Sequence, residues 1–352
     1  MAYEVKVEKI TKSKLDTIDF NNVQFGRVFS DHMLMADYYD GQWNDIKIMP
    51  YQKIPMAPAT AALHYGQEIF EGIKAFRHDN GEAYIFRPRE NWIRMKHSAH
   101  RMCMPEVPED LFIEGIKQLV ALDKAWIPAL EGSSMYIRPF MIAMDEVVGI
   151  KPSDTYKFMI ITSPVNAYYA EPIKVRVEEH YSRAARGGTG FVKNAGNYGL
   201  SLYPAMIAQK KGYKQLLWTD SAEHKYFEES GTMNIFFVIG DTIVTPPTDG
   251  TILEGVTRDS VIVLLRDKGY IVEERDISVD EVLEAYREGN LREAFGTGTA
   301  AVIAQITAIG YQDDDLNLPD IAQASISSYL MKALDEIRRG HAPDKHNWMV
   351  KV

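Results

Sequence analysis

Cysteine is almost absent: Cys103 is the only one among 352 residues. A single thiol excludes an internal disulfide framework and any multi-cysteine metal site, and it suits a reducing compartment. The nine histidines show no HExxH or similar metal-ligand spacing, so no metal is expected. No apolar run approaches the roughly 18–20 residues that span a bilayer. The opening residues, MAYEVKVEKI, alternate apolar and charged side chains and lack the layout of a secretory signal. A cytoplasmic protein is therefore expected, with no membrane partner. Basic charge is in deficit: 39 Lys and Arg stand against 49 Asp and Glu, for a net charge of −10. That balance argues against nucleic acid as the main partner, because phosphate binding takes basic surface.

Hydrophobic residues make up 46% and charged residues 25%, as in soluble globular proteins. At about 150 residues per domain the length suggests two. No repeat or low-complexity tract is present. Phe112, Ile116, Leu119 and Val120 fall at helical spacing after Pro108-Glu109-Asp110, a helix start. Residues 135–143, 156–162 and 173–177 read as strands, the last with clean alternation. The stretch 163–172 carries two prolines and no period, and reads as a linker. Beyond it come a helix near 200–211, a strand at 215–219 and a hairpin over 233–245. A helix over 257–268 stops at Gly269. A capping box at Ser278 opens another helix, and a long C-terminal helix covers 321–339. Strands are not regularly followed by helices, so the fold class is mixed α and β rather than a doubly wound parallel sheet.

Residues 187–199, GGTGFVKNAGNYG, surround one lysine, Lys193, with five glycines. Glycine lets backbone approach a ligand closely. A desolvated lysine there loses basicity and becomes a nucleophile toward a carbonyl; the alternative is a solvated lysine on a surface loop. The segment is not a P-loop, because no Lys-Ser or Lys-Thr pair follows the glycines. Glu228-Glu229-Ser-Gly-Thr-Met-Asn234 precedes an apolar strand. Its carboxylate could pair with a protonated ring nitrogen, or the stretch is a polar turn with solvated acids. Residues 253–260 enter a helix whose free N–H groups form an anion site, unless Thr257 merely caps it. Residues 295–301, FGTGTAA, loosely match a dinucleotide fingerprint. The segment that follows looks extended, so the Rossmann reading is rejected and a strand-end turn offering Thr299 to an anion remains. Arg94 sits where a loop becomes a helix and could hold a phosphate bidentately, or lie on the surface.

In order and spacing, these stretches resemble the branched-chain amino-acid aminotransferases, among the fold-type-IV pyridoxal-phosphate enzymes. HYGQEIFEGIKAF (64–76), FRP (86–88), Arg94, YIRP (136–139), the lysine segment, ESGTMN (229–234), LEGVTR (253–258) and GTGTA (296–300) carry the resemblance. It implies a two-domain architecture like the D-amino-acid aminotransferases, with the cofactor at the domain interface. The expected division is a smaller domain over 1–164, a linker over 165–173 and a larger domain over 174–352 bearing the cofactor lysine.

The resemblance implies that Lys193 binds pyridoxal phosphate covalently and then moves the proton. It further implies that Glu229 pairs with the pyridine nitrogen, and that Tyr198 bonds the ring hydroxyl. Arg94, Thr299 and the N–H groups of Val256 and Thr257 hold the phosphate, and Arg183 supports that end. The α-carboxylate of substrate falls to Thr232, Tyr65 and the N–H groups around Thr299 and Ala300. Phe70, Tyr136 and Tyr168 line an apolar pocket. Arg138 helps with glutamate's distal carboxylate or is purely structural. Val148 and Ile150 match a loop lent by a neighbouring subunit, so a homodimer or larger homo-oligomer is implied. The implied reaction is ping-pong transfer of the amino group between L-leucine, L-isoleucine or L-valine and 2-oxoglutarate. An apolar pocket separates these three poorly, at about 0.8 kcal/mol per methylene. The Cys-x-x-Cys pair of some members is replaced by Ala301 and Ala304, so that redox control is absent, and Cys103 is expected to pack in a helix. The alternatives are a D-amino-acid transaminase or aminodeoxychorismate lyase of the same fold, and a nicotinamide dehydrogenase using 296–301.

Overall fold

The structure, a computed structural model, describes residues 3–166 and 171–352. Tyr168 and residues 167–170 of the expected linker therefore lie outside the described residues. The chain divides into two compact units. The first comprises 1–168, 192–196 and 335–352; the second comprises 169–191 and 197–334.

In the first unit a nine-stranded sheet runs from Lys6–Val7 through Gln42–Pro50, His32–Tyr39, Tyr156–Val165, Ser134–Ala143, Ile73–Arg77 and Ala83–Phe86 to Met349–Lys351. The short strand Glu68–Phe70 also pairs with Ser134–Ala143. Alternation along each strand separates two faces. Leu34, Ala36, Ile73, Ala75, Met135, Ile137 and Met141 enter one core with helix Glu109–Leu122. That helix buries Leu111, Phe112, Ile116, Leu119 and Val120 along one stripe, and its first turn carries Glu109 and Asp110, which suit the positive end of the helix dipole. Tyr136, Arg138 and Phe140 necessarily point to the other face.

The second unit holds another nine-stranded sheet. Its path runs Phe227–Ser230, Gln215–Thr219, Ile173–Val177, Val302–Tyr311, Leu291–Gly298, Met233–Ile239, Thr242–Thr245 and Ile271–Glu274. Phe227–Ser230 also pairs with Met233–Ile239, so six of these strands close a ring. Val175, Val177, Leu217, Ile235, Phe237, Ala304 and Ile306 fill one core with Val279, Val282 and Ala285 of helix Val279–Arg287. The mixed α and β class is what the structure has, and most expected elements are present.

Four expectations need correction. The units are not continuous in sequence: residues 192–196 belong with the first because the Phe70 N–H donates to the Lys193 carbonyl and the Ala195 N–H to the Glu68 carbonyl. The cofactor lysine expected in the C-terminal domain is thus held by an N-terminal strand. The C-terminal helix begins at Ser325, after a separate turn over Ile321–Gln323, because Glu293 takes the N–H groups of Ile326 and Ser327. The capping box is half made: Ser278 accepts from the Glu281 N–H, but the Glu281 carboxylate turns to Arg275 instead. Cys103 is exposed and stands past the end of helix Pro88–Arg101 with φ 55°. Its N–H donates to the His100 carbonyl and the next N–H to Ala99, a left-handed helix stop.

Candidate active site

In the first unit, Phe70, Tyr136, Arg138 and Lys193 are tied together by ring and hydrogen-bond contacts, whereas Tyr65, Val148 and Ile150 stand apart from them. Strand Glu68–Phe70 holds the lysine segment by backbone bonding, with Ile69 bridged to Asn194. Ser98 adds a second hold: its hydroxyl accepts from the Lys193 N–H at 3.0 Å and donates to the Arg94 carbonyl at 3.0 Å. The Lys193 ammonium lies 4.6 Å from the centre of the Phe70 ring. Burial and then the Arg94 cation push its pKa down to about 8, with Glu71 opposing. The backbone bonds of Lys193 to strand Glu68–Phe70 and to Ser98 set it apart from a lysine on a free surface loop.

Arg94 is not on the surface. It is 7% exposed and forms a two-pronged pair with Glu71, Nε to Oε1 at 2.8 Å and Nη2 to Oε2 at 2.7 Å. Glu71 is fully buried. Arg138 stacks 4.5 Å from the centre of the Phe70 ring and donates to the Tyr136 hydroxyl at 2.8 Å. Its buried Nε has no partner. Gly72 makes room for that hydroxyl, since a Cβ there would stand 2.4 Å from it. Tyr65 ends the short helix Ala61–Tyr65 and is 41% exposed. Val148 and Ile150 follow the strand Ser134–Ala143 and are 70% and 91% exposed.

The second unit carries the acid. Glu229 lies on the buried strand Phe227–Ser230, so the reading as a solvated turn fails. It sits opposite Asn234. Together they clamp one residue from both sides: the Leu253 N–H donates to Glu229 Oε1 at 2.7 Å, and Asn234 Nδ2 donates to the Leu253 carbonyl at 2.9 Å. Arg183 pairs with Glu229 at 3.2 Å and donates to the carbonyls of Gly190 and Thr251 at 2.9 and 2.6 Å. The clamped loop leads into helix Val256–Asp267. Its N-cap is Gly255 without a side-chain cap, so Thr257 is not the cap. A Cβ on Gly255 would stand 1.9 Å from Asn234 Oδ1. Thr299 and Ala300 form the turn between antiparallel strands Leu291–Gly298 and Val302–Tyr311. No helix follows this turn, which removes the dinucleotide-fold reading. Thr232, exposed, lies on the turn after Ser230, and Tyr198 on the helical turn Gly196–Gly199.

Each unit by itself carries groups of the kind a phosphate-bearing pyridine aldehyde needs. The first has an amine of lowered basicity. The second has a carboxyl fixed by two donors and a glycine-started helix N-terminus suited to an anion. Sequence reasoning missed Glu71, Ser98, Asn234 and Glu228. Glu71 had a signal, a lone acid inside the apolar run IFEGIKAF, while Glu228 and Asn234 end the acidic segment 228–234 and were given no role of their own. Among the described residues no group of three or more His, Cys, Asp or Glu could hold a metal ion, and no helix is long and apolar enough to cross a membrane.

Comparison with known proteins agrees with this geometry. The family model described as amino-transferase class IV matches residues 68–309. Branched-chain-amino-acid aminotransferase 2 of Bacillus subtilis (strain 168) is 47% identical, over 99% of this chain and 97% of the relative. The branched-chain-amino-acid aminotransferase of Mycolicibacterium smegmatis is 41% identical, over 94% and 92%. Among solved structures, the branched-chain aminotransferase of Escherichia coli superposes with a TM-score of 0.74 at 26% identity, covering 91% of this chain and 98% of that one. The T.th. enzyme solved with pyridoxamine 5'-phosphate gives 0.72 at 26%, covering 91% and 97%. Family match, full-length relatives and fold coincide, and this chain belongs to the branched-chain-amino-acid aminotransferases of amino-transferase class IV.

Proposed function

We propose that the protein moves the amino group between L-leucine, L-isoleucine or L-valine and 2-oxoglutarate by a ping-pong reaction with pyridoxal phosphate. The observation that carries this is Lys193, an amine pushed to about pKa 8 and anchored through its own backbone to Phe70 and Ser98. Pyridoxal phosphate supplies an electrophilic carbonyl and a ring that accepts electrons. Lys193 would hold that carbonyl through its amine, and the same amine, when free, would carry the proton to and from the substrate α-carbon. Glu229 holds the proton on the pyridine nitrogen, and Tyr198 bonds the ring hydroxyl. The N–H groups of Val256 and Thr257 hold the phosphate with Arg94 and Thr299, while Arg183 steadies Glu229.

Phe70, Tyr136 and Tyr168 shape the apolar pocket. Arg138, with its orphan Nε, takes glutamate's distal carboxylate. Tyr65, Thr232, Thr299 and Ala300 receive the α-carboxylate. The loop bearing Val148 and Ile150 completes the pocket of a second copy, so the working unit is at least a homodimer. Its exposed apolar side chains support this, as does the resemblance. A cytoplasmic setting follows from the lone thiol. The division into domains 1–164 and 174–352 gives way to the discontinuous units above.

The visible spectrum of purified protein tests the proposal, before and after L-leucine is added without any keto acid. A cofactor band that converts on addition is expected. No band, even after incubation with pyridoxal phosphate, overturns the assignment of Lys193. Conversion by D-valine but not L-valine overturns the substrate. Lys193→Ala should lose turnover entirely.

A further inference from the structure

Glu228 stands beside Glu229 on the same strand, and the function above does not use it. It is 6% exposed, and its Oε2 has no hydrogen-bond partner. The Thr251 side chain bonds the carboxyl. The backbone carbonyl of Thr251 in turn accepts from Arg183 at 2.6 Å, and Arg183 pairs with Glu229 at 3.2 Å. One chain of contacts, Glu228–Thr251–Arg183–Glu229, thus links two neighbouring acids to a single buried guanidinium.

Two neighbouring carboxylates that oppose each other's charge do not both ionise at low cost, and the one with the poorer partners takes the proton. Glu229 has a backbone donor and Arg183. Glu228 has one hydroxyl and an orphan oxygen, and an unsolvated charge there would be costly. Around Glu228, Arg183 favours its charge, and Glu229 and Asp220 oppose it. Arg186 also acts on it, but is paired with Asp249 at the surface. Burial pushes Glu228 up to about 7.

We propose that Glu228 is a positioning residue that keeps the proton of this acid pair, leaving Glu229 ionised with Arg183 to itself. The inference rests on the reading of Glu229 as the partner of the cofactor's pyridine nitrogen. Losing the Glu228 proton places a second carboxylate in competition for Arg183 and loosens the Thr251 loop that leads to the helix N-terminus.

The test uses holoenzyme, wild type against Glu228→Gln, between pH 5 and 9. Infrared spectra should show the C=O stretch of a protonated carboxyl in wild type, fading as pH rises through about 7 and missing from E228Q. Carboxyl titration at about 7 instead of 4.5 means a proton held up to about 300-fold more tightly. The folding constant of E228Q relative to wild type should therefore climb by up to that factor from pH 5 to 9. E228Q should also keep its cofactor at pH 9 where wild type releases part of it. Thr251→Val removes the bond that favours the charge, so the infrared fade should move to higher pH. A relative stability that ignores pH, or a protonated-carboxyl band that persists in E228Q, overturns the proposal. Wild type that takes up no pyridoxal phosphate overturns the functional reading instead, whatever the infrared titration shows.

Discussion

Replacing Glu71 by Gln probes the buried pair beneath the lysine. Glu71 is fully buried and Arg94 is 7% exposed, with contacts at 2.7 and 2.8 Å. Removing one member of such a pair leaves an uncompensated buried charge, which costs about 3–5 kcal/mol. For 352 residues at about 2.1 cal/mol/K each, the unfolding entropy is about 0.74 kcal/mol/K, so Tm should fall by about 4–7 °C. A functional effect accompanies this. Glu71 is the acid that raises the Lys193 pKa while Arg94 lowers it, so its loss should push Lys193 further below about 8. The assay is calorimetry on Glu71→Gln, on Arg94→Met and on the double variant. The double variant should be markedly more stable than the sum of the singles predicts, because it leaves no charge stranded. Additive losses, or a Tm unchanged by Glu71→Gln, would refute the pairing as the source of stability.

Gly255→Ala should weaken pyridoxal phosphate binding more than it lowers Tm, because the new Cβ would stand 1.9 Å from Asn234 Oδ1 and push aside the loop at the helix N-terminus; cofactor titration checks it. Gly72→Ala would crowd the Tyr136 hydroxyl at 2.4 Å and should raise KM for branched substrates more than it lowers kcat, as steady-state kinetics would show. Lys74, 6% exposed, is pushed down to about 7 by burial and by the Arg338 charge. Its unfolded form holds the proton up to 10.5, so wild-type stability should rise with pH between about 7 and 10.5. Lys74→Met should remove that rise, which is worth at most about 5 kcal/mol; melting temperatures across this range decide.

Local chemistry is legible in the chain wherever the physics is local. The amphipathic stripe of Glu109–Leu122 follows from spacing alone, as does the alternation of Ile173–Val177. The glycine stop at Gly269 needs only its φ of 82°. The five glycines around Lys193 marked a segment that meets a ligand, but could not tell a buried amine from a solvated one. That difference comes from residues far away in the chain, chiefly Arg94, Glu71 and Phe70. Nor could sequence show that Glu229 and Asn234 grip the same residue, Leu253, because the grip needs a cross-strand register.

By itself, then, the sequence determined the mixed fold class, the order of most elements and, through motif order across most of its length, the family. It also exposed nearly every residue proposed to meet cofactor or substrate, since those residues lie in short glycine-marked stretches. Only the tertiary structure decided that the lysine segment and the C-terminal residues 335–352 belong to the N-terminal unit. It alone paired Arg94 with Glu71 and left Glu228 buried beside Glu229 with an orphan oxygen. Backbone periodicity and turn chemistry act over a few residues, whereas desolvation and charge pairing depend on neighbours that only folding brings within a few ångströms.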